Sequence, residues 1–107
     1  MSMKRLETKN IQDLLKHYKI DVENIDLEDT FELEDMFHTR SEIVKMLETL
    51  NFYEIKEFLE AESILYKYLP EIKRRYKIFY ERKVEPINKE IKNKLKSLKE
   101  YILIVYA

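Results

Sequence analysis

Lys89, Lys92, Lys96 and Lys99 recur at steps of 3, 4 and 3 residues, which on an α-helix sets four ammonium groups on one stripe. Ahead of them runs Lys73-Arg-Arg-Tyr-Lys-Ile-Phe-Tyr-Glu-Arg-Lys83, in which cations are interleaved with aromatic rings. A rigid basic face with rings beside it is what a phosphate backbone selects. Nucleic acid would then be held by Lys73, Arg74, Arg75, Lys77, Tyr80, Arg82, Lys89, Lys92, Lys96 and Lys99, read by charge and shape rather than by base. Tyr80 is the aromatic expected to be exposed, with Tyr76 and Phe79 in the core. The same residues also fit a plainer role as solvated helix faces, partly neutralised by pairs such as Glu85–Lys89 and Glu90–Lys94.

The opposite charge is as concentrated. Between Asp21 and Asp35 lie eight carboxylates and no base. One chemistry for them is a surface for a basic partner, including mimicry of nucleic acid. A second is a metal site: Glu34, Asp35, His38 and Glu42 contain an Asp-x-x-His step with helical neighbours of His38. A di-iron bundle, however, needs two Glu-x-x-His steps, and His17 sits in none. No metal or other cofactor is therefore expected. The expected state of the acids is solvation.

Catalytic apparatus is not visible. The chain has no Cys and no Gly, so it has no thiolate, phosphate loop or nucleophile elbow. The acid/base pairs that remain lie on ordinary helical surface. The expectation is a non-enzyme with no catalytic residue and no small-molecule substrate.

The missing glycine also constrains what must position these groups. Ordinary chains carry roughly 7 % Gly, which supplies positive φ and tight turns. A chain of 107 residues with none is expected to pass between helices through short joints. The length allows one modest core. Its 45 % apolar content is ordinary, while 38 % charged is high and suits helices with one buried stripe. The net charge of −1 divides into −7 over residues 1–60 and +6 over residues 61–107. Such a division suits intramolecular docking, head-to-tail assembly, or separate partners for the two halves.

Met1-Ser-Met-Lys-Arg5 is not followed by an apolar leader, and the longest apolar run, Tyr101 to Ala107, is far below the ~20 residues of a membrane span. A cytoplasmic protein without membrane contact is the expectation, and the lack of Cys agrees with it.

Thr8 to Lys19 reads as a first helix, with Ile11, Leu14, Leu15 and Tyr18 on one face. The acidic stretch predicts only short helical turns around Leu27, Phe31, Leu33, Met36 and Phe37, although Asp29-Thr-Phe-Glu32 has capping-box form. Thr39-Arg-Ser-Glu42 is a further capping box and predicts a helix to Leu50. Asn51-Phe-Tyr-Glu54 predicts the next start almost at once, and that helix runs to Leu69. Pro70 removes a donor and bends the chain. The series Leu65, Leu69, Ile72, Tyr76, Phe79 nonetheless keeps its phase, predicting a kink or a very tight joint before a helix Pro70–Val84. Pro86 repeats the arrangement and opens the last helix at Ile87.

That helix has the cleanest seam in the chain: Ile87, Ile91, Leu95, Leu98, Ile102 and Val105. It fits packing within the chain's own bundle, and equally pairing with a second chain. The sequence thus predicts an all-α bundle of four to six helices in a single domain, residues 8–38 forming its acidic part and 39–106 its helical core. The function expected of it is that of a small interaction protein acting as a subunit, adaptor or inhibitor, through a protein partner or a homo-oligomer met by this helix. Nucleic-acid binding through the basic half is the alternative.

Overall fold

The computed structural model describes the backbone of residues 10–106 and the side chains of residues 10–96. Helix α1 (Ile11–Glu23) starts at Asn10, whose side chain accepts from the Gln12 amide at 2.9 Å. It buries Leu14, Leu15, Tyr18 and Val22, one stripe at helical spacing. Asn24 ends it, its backbone N–H and its side-chain amide both donating to the Ile20 carbonyl. No described residue has positive φ, so every joint is made without the left-handed geometry that glycine favours.

Helix α2 (Thr30–Lys45) departs from the expected boundaries. The Asp29 side chain caps it, accepting from the Phe31 and Glu32 amides. The acidic stretch is thus the first half of a full helix rather than a set of short turns. Its apolar positions explain why: Leu33, Met36 and Phe37 are in phase with Arg40, Ile43 and Val44, and all six are buried. The expected start at Thr39 does not occur, because Thr39 lies inside α2 and is itself buried. The helix closes at Met46, and a 3-10 turn, Leu47–Thr49, leads to the next start.

Helix α3 (Phe52–Leu65) begins where the sequence predicts. Asn51 and Glu54 form a reciprocal capping box, with Asn51 Oδ1 accepting from the Glu54 amide and Glu54 Oε1 from the Asn51 amide, each at 2.9 Å. Its end differs from the prediction. The chain leaves α geometry at Tyr66, and Lys67 and Tyr68 close the turn by bonding three residues back to Ile64 and Leu65. Helix α4 (Leu69–Arg75) then starts afresh with Pro70 in its first turn, where a missing N–H costs nothing. The joint is a genuine turn, although a short one.

The other proline was expected to open a helix, but the break lies ten residues earlier, at Tyr76 (φ −129°, ψ 66°). From there the chain stays helical through α5 (Lys77–Phe79), a π-helical turn over Tyr80–Val84, and α6 (Glu85–Tyr106). In that turn the Glu85 N–H reaches back to the Tyr80 carbonyl. The wider turn brings the chain to Pro86 already off the ordinary ladder, so its ring is absorbed without a break.

One hydrophobic cluster joins these elements, including Leu15, Tyr18, Phe37, Phe58, Leu65, Ile72, Val84 and Ile91. Tyr18 meets Phe58 and Phe37 meets Phe79, each pair at 5.8 Å between ring centres. Helix α1 packs on α2 and α3, while α6 packs on α2 and on the π turn before it. The molecule is an all-α bundle, as the sequence predicts.

Candidate functional site

Because α3 leans on α1 while α6 leans on α2, the two do not fill the space between them. The result is an open groove of about 860 Å³. One wall comes from α3, through Leu59, Glu62 and Ser63, and is continued by Tyr66 just past its end and by Leu69 at the start of α4. Asn88, Ile91, Lys92, Asn93, Leu95 and Lys96 of α6 form the other. Ile91 is 1 % exposed and belongs to the core, so it is the floor of the groove. Leu95 is half-buried and stands higher on the wall. The side-chain oxygen of Asn88 is shielded from water and accepts no hydrogen bond among the described residues.

Behind the α3 wall lies a polar cluster. Arg40 of α2 and Glu62 of α3 are both buried, and Arg40 Nε donates to Glu62 Oε2 at 2.5 Å while Nη2 donates to Oε1. The Tyr18 hydroxyl of α1 donates to the same Oε2 at 2.5 Å. Arg40 also stands 5.4 Å from the centre of the Phe37 ring. Burial pushes the Tyr18 phenol well above its usual range, and the Glu62 charge adds to this. Burial alone would lower Arg40, but its hydrogen bonds to Glu62 outweigh that and hold it raised. Tyr66, on the groove side, is raised by burial and then by Glu62. One carboxylate thus ties three helices together and sets the position of the groove wall.

A second cluster joins α1 to α2. His17 Nε2 lies 2.9 Å from Asp21 Oδ2 and 3.1 Å from Asp35 Oδ2. Burial raises the Asp21 carboxyl; His17 opposes this, while Asp35 and Glu32 add to it. These three side chains, and separately Asp26, Asp29 and Glu32, each bring ligand atoms within 4.8 Å of one another, and either trio could hold a cation. Of the residues singled out for metal in the sequence, only Asp35 belongs to one of these groups. Glu34 and His38 instead line a small cleft of about 170 Å³ with Phe37, Ser41, Phe79, Lys83 and Ile87.

Several of the basic residues singled out in the sequence are engaged by neighbouring side chains. Arg74 and Arg75 both bind Glu71, and Arg75 also reaches Glu28 in the acidic half at 3.4 Å. These hydrogen bonds, first from Arg74 and then from Arg75, hold the Glu71 carboxyl below its usual range. Lys77 approaches Glu81 at 4.0 Å. Lys73 lies over the Tyr80 ring, and Tyr80 is half-buried against the core rather than exposed. Arg82, Lys89, Lys92 and Lys96 are exposed. Of the seam, Ile87, Ile91 and Leu95 are described, whereas the side chains of Leu98, Lys99, Ile102 and Val105 lie outside the described residues.

Sequence reasoning missed the Arg40–Glu62–Tyr18 cluster. Its signal was present: Arg40 interrupts the apolar stripe of α2, and Glu62 sits between Phe58, Ala61 and Leu65 on that of α3. The His17–Asp21 step of four residues was likewise legible. The joining of Asp35 to it was not, because it depends on how α1 and α2 pack.

What fold and site together define is a class, a small all-α bundle with an open groove between two helices. Comparison with protein-family models, curated proteins and solved structures finds no match to this chain. No described helix is long and apolar enough to cross a membrane.

Proposed function

We propose that this chain is a non-enzymatic interaction protein, a subunit, adaptor or inhibitor that receives a helix of a partner protein in the α3/α6 groove. The observation that carries the reading is the groove itself, an apolar trough between two helices with an orphaned acceptor on its wall. Helix-in-groove recognition uses such a surface, with apolar anchors at helical spacing filling the trough. The seam of α6 supports it in a modified form. Ile91 belongs to the chain's own core, so Leu95 offers more surface to a partner than Ile91 does.

The test is affinity purification from the native host with the wild-type chain and with Leu59→Glu and Leu95→Glu, each checked for its helical signal. A partner retained by the wild type and lost by both variants supports the reading. Equal retention by all three rejects it.

Nucleic acid is the second reading, supported by Lys89, Lys92 and Lys96, which are exposed and in no ion pair among the described residues. The engagement of Arg74 and Arg75 with carboxylates weighs against it. Retention of DNA or RNA at low salt, falling steeply as salt rises, is its signature.

A further inference from the structure

We infer that the occupant of the α3/α6 groove is an amphipathic helix with acidic flanks, belonging to a different protein rather than to a second copy of this chain. This rests on the reading of the groove as a partner site. The argument is charge. Lys92 and Lys96 form the upper α6 wall, and Lys89 lies beside them on the same exposed side. On α3, helical spacing puts Lys56 and Glu60 along the outer edge, both exposed, and Lys67 is exposed in the turn that follows. The other acid of that wall, Glu62, is already neutralised by Arg40. The α6 rim is therefore positive and the α3 rim close to neutral, over an apolar floor.

The longest helix this chain could offer a second copy is α6, whose stripe of Lys89, Lys92, Lys96 and Lys99 would be set against the lysines of the groove. Like charges facing each other disfavour that pairing, whereas carboxylates on a foreign helix would be drawn in. The size agrees with a helix as occupant. A helix about 10 Å across that rises about 1.5 Å per residue fills roughly 860 Å³ in two turns, the volume of this groove.

The experiment uses the full chain and three synthetic helical peptides of equal length, titrated by calorimetry at low and moderate salt. The first carries a leucine seam flanked by glutamates, the second the same seam flanked by lysines, and the third the glutamate peptide with its seam scrambled. The expected result is micromolar binding of the glutamate-flanked peptide alone, weakening as salt rises, with Lys92→Glu/Lys96→Glu costing about threefold to tenfold in affinity. Equal binding of glutamate- and lysine-flanked peptides, both lost in Leu95→Glu, overturns the acidic partner while leaving the groove reading intact. Failure of both seam peptides overturns the groove reading with it. Tighter binding of a single-stranded DNA oligomer that displaces the glutamate peptide assigns the lysines to nucleic acid instead, and a concentration-dependent dimer in light scattering restores self-association.

Discussion

Arg40 of α2 and Glu62 of α3 form a bidentate ion pair inside the bundle, buried at both ends and joined from α1 by the Tyr18 hydroxyl. A pair in that position has a demanding energetic balance. Taking both charges out of water costs several kcal/mol each, and attraction at close range recovers that only while both partners are present. What the pair contributes is register, because it fixes α1, α2 and α3 at one point and thereby the wall of the groove.

Removing one partner is therefore expected to be far worse than removing both. Glu62→Gln leaves the Arg40 guanidinium buried without a counter-charge and is expected to cost about 3–5 kcal/mol in urea unfolding. The double variant Arg40→Met/Glu62→Leu is expected to regain most of that stability. An additive double variant would show that the two residues act independently.

Tyr18→Phe tests the third arm of the cluster. A hydrogen bond to a charged acceptor contributes about 1.5–3 kcal/mol, and that loss is expected near neutral pH. The Tyr18 phenol is raised in the fold, so above pH ~10 the unfolded chain gives up this proton while the native chain keeps it. The native state then binds more protons, and stability falls as pH rises through that range. Chemical denaturation of Tyr18→Phe between neutral and alkaline pH should show a shallower fall than the wild type.

The parts of the fold legible in the sequence were those written in local signals. Asn51 and Glu54 cap α3 because their spacing alone satisfies the first turn. Thr39 and Glu42 have the same spacing and cap nothing, because the phase of Leu33, Met36 and Phe37 carries α2 through them. A capping pattern competes with the burial of a continuous stripe, and here burial of three large side chains at about 1.5–3 kcal/mol each outweighs a cap of about 1 kcal/mol. Pro86 misled for a related reason: a proline predicts a break only when the turn before it is α-helical, and Tyr80–Val84 is a π turn. The seam of α6 was legible as a stripe. The groove beside it was not, since it exists only because α3 packs on α1.

Asp21 makes the cluster beside it sensitive to pH. Its carboxyl is raised first by burial, with Asp35 and Glu32 adding and His17 opposing, so the native site disfavours the ionised form. A raised carboxyl means the native state holds its proton longer than the unfolded chain, and stability falls as pH climbs through that window. The cost is fully present at neutral pH. Asp21→Asn is therefore expected to raise the melting temperature at pH 7, with the advantage fading as pH drops toward about 4 and gone below it, where both the native and the unfolded carboxyl are protonated. Melting curves at three pH values decide this, and a lower melting temperature for the variant at pH 7 would mean that the His17 contact outweighs burial.

Asn88 brings stability and binding into opposition. Its side-chain oxygen is shielded and unpaired on the groove wall, and an orphaned buried acceptor costs about 1–3 kcal/mol. Asn88→Leu removes the orphan, adds apolar surface beside Leu95, and replaces a weak helix former with a strong one inside α6. All three effects act in the same direction, so the free protein is expected to melt several degrees higher, at about 4–8 °C per kcal/mol for a chain of this size. Asn88 is nonetheless half-buried and lines the groove, so if its side chain contacts an incoming helix the same change should weaken the glutamate-flanked peptide by about tenfold, the equivalent of ~1.4 kcal/mol. A variant that melts higher and binds no worse would make Asn88 a packing defect. One that melts higher and binds worse would mark it as a site where stability has been given up for recognition.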